Sequence, residues 1–359
     1  MFDNGHAYNP QNDSDSEDDM TILLSHNSAL ERLRAIPPAF DHSKTLAQAL
    51  DLSIIRPTRN ELRQSSLKAL GIRQLPAHVL CHEDTPRSKS NNIKAHTQSA
   101  TAIPGNLVRI IGDGAYAAGP ELVFLQMAQR TSLLGLVALG YEFCGSYSHF
   151  GPLISGFYER NPLTSVKRIS DALDLLGRHS GISEARKALR YVLDGSASPM
   201  ETVFACMLVL PNDLGGEGLV FPNLNWMVEL DTLGKKMTGH GTAQVDIAWP
   251  DKKIGLEYNG GPYHTDPQTD QLRREALSRK EWRIYTADID RMVDYGKYSN
   301  LLGLVEDEIP RRSGAAKPEP KDSAALFKRL MKATRAGIGL NPALFNVDVP
   351  WKAVKVHVG

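Results

Sequence analysis

Cysteine is scarce in this sequence, which argues against several kinds of small, cross-linked fold. The chain has only three cysteines, Cys81, Cys144 and Cys206, and no two of them form a C-x-x-C pair. Neither a disulfide framework nor a cysteine-based zinc site is therefore expected. The sequence predicts a protein of a reducing compartment, the cytoplasm.

Long apolar runs are also missing. The most apolar stretch, residues 133–139, is followed within a few positions by Glu142, whereas a helix that spans a bilayer needs about 20 predominantly apolar residues. The first residues are acidic, unlike the basic start of a secretory signal peptide. A hydrophobic fraction of 42% with 23% charged residues predicts a globular protein with no membrane partner.

Net charge is zero, but the charges are unevenly distributed. Residues 1–19 contain six acidic residues and no lysine or arginine, which leaves 41 basic against 35 acidic residues, a net +6, in the remainder. The acidic, Asn/Ser-rich composition of residues 1–19 predicts a disordered tail, and Met20 after it is a second candidate start. The positive remainder is compatible with a polyanionic partner such as DNA.

The most informative stretch is a predicted hairpin over residues 244–259. Pro250-Asp-Lys-Lys253 supplies turn residues between two strand-like segments. A two-residue turn at Asp251-Lys252 fixes the register and sets Asp246 directly opposite Glu257. Alternation then predicts one apolar face, formed by Val245, Ile247, Trp249, Ile254, Leu256 and Tyr258. The other face is small and polar, and it carries Gln244, Asp246, Ala248, Gly255, Glu257 and Asn259.

Two carboxylates on that polar face have no structural reason to be neighbours. Like charges directly opposite each other destabilise a sheet, and a divalent cation between Asp246 and Glu257 would remove the repulsion. Hard oxygen ligands suit Mg²⁺, with Mn²⁺ as the related alternative. The competing interpretation is a pair of solvated carboxylates on a wet face, or a register shifted by one residue.

The chain divides on composition into four parts. After the acidic tail of residues 1–19, residues 20–195 predict a helical and mixed α+β domain. Gly195-Ser-Ala-Ser-Pro199 is a boundary signal. Residues 196–310 then predict the order α-β-β-β-α-β-α, and residues 311–359 form a basic extension that either contacts a nucleic-acid backbone or is a solvated appendage. The oligomeric state is open, and a homodimer is one option.

The N-terminal part offers weaker signals. Short predicted helices with five arginines permit a helix-turn-helix, and a small helical subdomain with solvated arginines is the alternative; these residues are Arg32, Arg34, Arg56, Arg59 and Arg63. His78, His82 and His96 match no compact metal-binding spacing, so we interpret them as ordinary histidines.

Residues 198–286 resemble the PD-(D/E)xK endonuclease-like domain related to very-short-patch repair enzymes. The segments that carry the resemblance are Ser198-Pro-x-Glu201, Val245-Asp246-Ile-Ala-Trp-Pro250, Leu256-Glu257-Tyr-Asn-Gly260, His264, Asp270-x-x-Arg273, Leu277 and Trp282-Arg-Ile284. The resemblance implies a restriction-endonuclease-like mixed sheet flanked by helices. Residues 20–140 resemble, more loosely, AbiEi-like antitoxins, through the passages Arg87-Ser-Lys-Ser90 to His96 and Pro120 to Ala128.

The nuclease resemblance implies metal-dependent phosphodiester hydrolysis on DNA. Asp246 and Glu257 would hold Mg²⁺, with Glu201 as an outer ligand or water-orienting group and His264 as a ligand or proton shuttle. Glu201 also completes a capping box with Ser198, and the two roles are compatible.

Arg273 and Arg274 would contact nucleic-acid phosphates under the same resemblance, or form an exposed basic face. Asn259 stands where the usual motif has lysine, and it cannot supply positive charge. The sequence thus predicts a metal-dependent DNA endonuclease, with a catalytically inactive, antitoxin-like DNA-binding regulator as the alternative. A protein-interaction module is a third interpretation.

Overall fold

The computed structural model describes residues 22–35, 44–57, 63–85, 90–149, 156–259, 267–288 and 295–336. The acidic tail of residues 1–19, Met20 and His264 lie outside the described residues, as does the side chain of Asn259. The described part is a mixed α/β protein in which helices flank mixed sheets. None of the described helices is long and apolar enough to cross a membrane.

The N-terminal part is built around a five-stranded mixed sheet. Its strands and intervening helices are β1 (Ile22–Leu24), α1 (His26–Leu33), β2 (Leu50–Asp51), α2 (Gln64–Ala69), β3 (Ala77–His82), β4 (Ile93–Gln98), β5 (Ala102–Ile103), β6 (Val108–Gly112) and β7 (Ala115–Ala118). The sheet has the order β4-β3-β1-β7-β6, with β3 and β4 parallel, and β2 pairs with β5 separately. This part is therefore mixed in helix and strand, with parallel and antiparallel pairs in one sheet.

A helical layer follows the sheet. It comprises α3 (Pro120–Met127), α4 (Leu133–Cys144), α5 (Val166–Leu176) and α6 (Ile182–Leu189), with the short hairpin β8 (Tyr147–His149) and β9 (Phe157–Glu159) between α4 and α5. Pro120 occupies the first turn of α3, where a missing N–H costs nothing. The Ser132 hydroxyl accepts the Gly135 N–H at 3.1 Å and caps α4.

The C-terminal part contains a four-stranded sheet with helices on both faces. Its elements are α7 (Pro199–Val209), β10 (Asn223–Glu229), α8 (Thr232–Thr238), β11 (Thr242–Trp249), β12 (Ile254–Asn259), α9 (Pro267–Arg279), β13 (Arg283–Asp288), α10 (Tyr295–Glu306) and α11 (Pro320–Ala336). The strand order is β10-β11-β12-β13, antiparallel except for the last, parallel pair. The predicted α-β-β-β-α-β-α order is confirmed, with α8 as an addition.

Two apolar clusters hold these layers together. The larger extends from Ile22 to Leu330 and includes every residue of α7 from Val203 to Val209. The smaller lies on the other side of the four-stranded sheet and is formed by Val228, Leu230, Ala243, Val245, Ala248, Ala276, Leu277 and Trp282. The C-terminal sheet is therefore covered on both faces, as in layered α/β folds.

The structure corrects two sequence interpretations of basic segments. Arg32 and Arg34 are neither solvated nor free for a nucleic acid, because both are buried and the Arg34 Nε donates to Glu142 at 2.8 Å. The basic extension is not a solvated appendage as far as Leu330, since Leu326 and Leu330 of α11 are completely buried in the larger cluster. Its helix turns an apolar stripe inward, which the charge count alone does not reveal.

Candidate functional site

The site is centred on the β11–β12 hairpin, whose predicted register is confirmed. The ladder pairs Ile247 with Leu256 and Trp249 with Ile254, and the Lys253 N–H donates to the Pro250 carbonyl at 3.1 Å to close the turn. At the next position along β11 the Asp246 side chain accepts the Tyr258 N–H. The turn chemistry was therefore sufficient to set the register from Ile247 to Trp249 on β11.

The predicted faces of the hairpin are partly wrong. Val245 and Ala248 lie three residues apart, yet both pack in the smaller cluster, whereas Ile247 packs in the larger one. A Cβ on Gly255 would lie 2.4 Å from Cγ1 of Val245, so these two residues face the same side. Strict alternation therefore fails at Asp246, and Ala248 and Gly255 belong to a buried apolar face instead of a polar one.

The neighbouring strand is irregular at the same level. Asn225 of β10 would pair with Asp246, but it has a left-handed backbone with φ of 50° and is skipped in the ladder between Leu224 and Trp226. The departure from alternation at Asp246 therefore lies opposite a break in the β10–β11 ladder.

Glu201 lies in the first turn of α7 and performs the predicted capping role. The Ser198 hydroxyl accepts the Glu201 N–H at 3.1 Å, and the Glu201 Oε2 accepts the Ala197 N–H at 2.8 Å. The same oxygen also accepts the Asn225 Nδ2 at 2.8 Å. The cap therefore holds a buried carboxylate against the edge of β10, which joins the helix to the irregular position in the sheet.

Asn225 and Gln244 were not selected as site residues from the sequence. Asn225 donates through Nδ2 to the Gly195 carbonyl at 2.8 Å as well as to Glu201. Gln244 donates to the Asn225 side-chain oxygen. The residue type was one signal that could have singled out Asn225, because asparagine tolerates a left-handed backbone better than most residues.

Asp246 is the most electrostatically unusual carboxylate of the site. Its Oδ2 accepts the Tyr258 N–H at 2.9 Å. Burial raises the pKa of Asp246 to about 7, and the charges of Glu201 and Glu257 act in the same direction, against the Tyr258 hydrogen bond and the positive charge of Arg273. Three acids from α7, β11 and β12 are thus close enough to influence one another.

Glu257 is paired with Arg273 of α9. The two guanidinium nitrogens Nη1 and Nη2 donate to the two carboxylate oxygens at 2.9 and 2.6 Å, and Nη2 also donates to the Gln244 carbonyl. The resemblance predicts that Arg273 contacts a nucleic-acid phosphate. In the structure its guanidinium is paired with Glu257 instead. Arg274 is exposed on the same helix.

The donor set fits a hard cation with few protein ligands. Within the described residues, Glu201, Asp246 and Glu257 do not bring three carboxylate oxygens into one compact group. Mg²⁺ does not require three, since it is commonly held by one or two carboxylates, several waters and substrate phosphates. Asp246 and Glu257 would supply those two carboxylates, provided that Arg273 releases Glu257.

No protein-family model matches this chain, and neither the curated proteins nor the solved structures compared with it gave a match. The relation to PD-(D/E)xK enzymes therefore stays a resemblance, carried by the motif residues quoted above.

Proposed function

We propose that this chain is a metal-dependent DNA endonuclease whose residues 196–310 form a restriction-endonuclease-like domain. The observation that carries the proposal is the position of Asp246, on the central hairpin, within electrostatic reach of both Glu201 and Glu257. Asp246 is the costly member of this set, since burial and the charges of Glu201 and Glu257 all oppose its ionisation. The residues before 196 would recognise the DNA or regulate the reaction.

The arrangement of elements supports the proposed fold. The helix α7 precedes three antiparallel strands, and β13 returns parallel to β12 after α9. The acids of α7, β11 and β12 meet around the hairpin, and α9 contributes Arg273 there as the partner of Glu257. The motif residues Glu201, Asp246 and Glu257 accordingly come from three different elements.

The chemistry follows from the residue types. A bound divalent cation supplies charge neutralisation at the scissile phosphate and an acidified water as nucleophile. Asp246 and Glu257 bind the cation in this proposal, and Glu201 orients the groups behind them through Asn225. Arg273 exchanges its carboxylate partner for a substrate phosphate, for which a planar guanidinium is well suited.

One observation favours the alternative of an inactive, DNA-binding regulator. Arg273 already neutralises Glu257 through both oxygens, so that carboxylate is satisfied without a cation. Asn259 also stands at the position of the usual lysine. A protein of this kind would bind DNA in a salt-sensitive manner that does not depend on a metal ion.

Cleavage of supercoiled plasmid in Mg²⁺ or Mn²⁺ tests the proposal. We expect the wild type to nick the plasmid and Asp246→Ala to lose that activity, with Asp251→Ala as matched control because Asp251 is an exposed acid in the turn of the same hairpin. Equal nicking by wild type and Asp246→Ala would overturn the site assignment. If the wild type cleaves neither DNA nor RNA, the proposal that the protein is an endonuclease is overturned. DNA binding in the presence of EDTA would then support the alternative of an inactive DNA-binding regulator.

A further inference from the structure

Three histidines that are distant in the sequence meet beside the N-terminal sheet. His26 is the first residue of α1, immediately after β1, and His78 and His96 lie on the parallel strands β3 and β4. The ladder pairs His78 with Lys94, two residues before His96, so His78 and His96 project from the same face of the sheet. The spacing of these residues had suggested no metal-binding motif.

Their ring nitrogens form a compact group. One nitrogen from each ring lies within 4.8 Å of the other two, and the His96 Nε2 and His78 Nδ1 are 2.9 Å apart. The rings of His26 and His96 are stacked with centroids 3.7 Å apart. His26 and His78 are 9% and 7% exposed, and His96 is half-buried, which leaves one side of the group open.

Neighbouring serines hold two of these histidines in place. The Ser25 hydroxyl lies 3.0 Å from the His26 Nδ1, a ring partner of the kind that orients metal-binding histidines. The Ser28 hydroxyl accepts the backbone N–H of His78 at 2.8 Å and so fixes the main chain at that residue.

The backbone at His26 has a left-handed conformation, with φ of 47°, which costs free energy unless the surrounding structure holds it. The backbone N–H of His26 donates to the Gln126 Oε1 at 2.8 Å, which ties the start of α1 to α3. The Gln126 Nε2 is buried without a partner among the described residues.

We propose that His26, His78 and His96 form a binding site for a divalent transition-metal ion of the zinc class. Imidazole nitrogens suit Zn²⁺, Cu²⁺, Ni²⁺ and Co²⁺, whereas Mg²⁺ prefers oxygen. Three protein ligands leave a fourth position open for water or an anion, as in catalytic rather than structural zinc sites. This site is independent of the carboxylates of the β11–β12 hairpin.

Two electrostatic facts bear on the metal and its fourth ligand. Burial lowers the pKa of all three histidines, and the positive charges of Lys94 and Arg130 act in the same direction. Lys94 and Arg130 are exposed, where solvent and salt weaken their repulsion of a cation. Their charges favour an anion in the fourth position.

Binding requires a local adjustment. Nitrogens that share a tetrahedral zinc ion are about 3.3 Å apart, given Zn–N bonds of about 2.0–2.1 Å. The rings of His26 and His96 must therefore turn out of their stacked arrangement. The hydrogen bond between His78 and His96 is replaced by bonds to the ion.

Metal titration of the full chain tests the proposal. Metal-free protein is titrated with Zn²⁺ against a chromophoric chelator, and we expect about one tightly bound equivalent. His96→Gln should weaken this binding by more than about 100-fold, because removing a ligand exceeds the 10- to 100-fold effect of losing a supporting residue. His82→Gln is the matched control on β3, outside the cluster, and should bind as the wild type does.

Further measurements distinguish metal binding at the three histidines from binding at the hairpin carboxylates and from a loss of folding. Co²⁺ in the wild type should give the intense visible absorption of a low-coordinate site, and Asp246→Ala should retain it, which separates this site from the carboxylates. Ser25→Ala should weaken Zn²⁺ binding by about 10-fold while the far-UV circular dichroism is unchanged. The proposal is overturned if the wild type binds no stoichiometric Zn²⁺, or if the double variant His78→Gln/His96→Gln binds it with unchanged affinity.

Discussion

Arg273 of α9 holds both carboxylate oxygens of Glu257 on β12, at 2.9 and 2.6 Å. The same guanidinium also donates to the backbone carbonyl of Gln244 on β11. One side chain therefore connects the helix to both strands of the hairpin while it neutralises one of the three acids. Both oxygens of Glu257 are occupied in this pairing, so a cation would bind Glu257 only after the Arg273 guanidinium moves away.

The first prediction concerns the removal of this guanidinium. Arg273→Gln should lower the free energy of unfolding by about 1 to 3 kcal/mol without metal, because the mostly buried Glu257 loses a charged partner. Added Mg²⁺ should recover part of that loss in the variant and stabilise it more than it stabilises the wild type.

Urea unfolding with and without Mg²⁺ measures both effects. Arg274→Gln is the control, since Arg274 is exposed on the same helix and its replacement should change stability by less than about 0.5 kcal/mol. If Mg²⁺ stabilises Arg273→Gln no more than the wild type, Glu257 is not a cation ligand.

The second prediction concerns the pH dependence of Asp246. Burial and the charges of Glu201 and Glu257 raise its pKa to about 7, above the value of the unfolded chain. A raised folded pKa means that the stabilising contribution is complete below about pH 4 and is lost as the pH rises through about 7. Without metal, the free energy of unfolding of the wild type should fall by roughly 1 to 4 kcal/mol across this pH interval relative to that of Asp246→Asn.

Paired unfolding curves at pH about 4.5, 6 and 8 measure this difference. Asp251→Asn serves as the control, because Asp251 is exposed in the turn and should follow the wild type. If the free energy of unfolding changes with pH in the same way for the wild type and for Asp246→Asn, the folded protein does not disfavour the ionised form of Asp246.

What could be predicted from the sequence depends on how local the cause is. The register of the hairpin follows from residues 250–253, and the cap of α7 from Ser198 and Glu201, so both predictions are confirmed. The side to which Val245 points departs from alternation where β11 lies opposite the irregular Asn225, and the pattern of apolar residues alone could not reveal it.

Contacts between side chains on elements that are distant in the sequence could not be predicted from the sequence. His26 lies far before His78 and His96, and only the strand order β4-β3-β1 brings the three together. The pairing of Arg273 with Glu257 likewise depends on how α9 crosses the hairpin. Helix and strand periodicity fixes faces within an element, but it contains no information on which charged groups meet across elements.

The third prediction concerns the left-handed residue of β10. Asn225→Ala loses the side-chain hydrogen bonds to Glu201 and Gly195 and also places an unsuited residue at φ of 50°. Asn225→Gly loses the same hydrogen bonds but tolerates the backbone. Asn225→Ala should therefore be less stable than Asn225→Gly by about 1 kcal/mol.

Urea unfolding of the two variants at neutral pH measures the contribution of the backbone, since the side-chain loss is common to both. Equal stabilities would mean that the backbone at Asn225 relaxes when its side chain is removed.

The fourth prediction concerns a buried ion pair far from the carboxylates of the hairpin. Glu142 of α4 is 1% exposed and accepts from the Arg34 Nε at 2.8 Å, the Ser148 hydroxyl at 3.1 Å and the His149 N–H at 3.2 Å. Burial is the largest single influence and would raise its pKa, but the charges of Arg34, His149 and Arg160 and the hydrogen bond from Arg34 together outweigh burial and lower the pKa to about 2. The pair therefore stabilises the fold above the unfolded-state pKa, and the contribution is lost as the pH falls towards 2.

Glu142→Gln should consequently destabilise the protein by about 3 to 5 kcal/mol at pH 7, because it leaves the Arg34 charge buried without its counterion. The difference from the wild type should shrink as the pH is lowered from about 4 to about 2, where the wild type also loses its carboxylate. Glu184→Gln, an exposed change on α6, should behave as the wild type throughout. A difference that stays constant down to pH about 2 would mean that packing around Glu142, rather than its charge, holds α1 against α4.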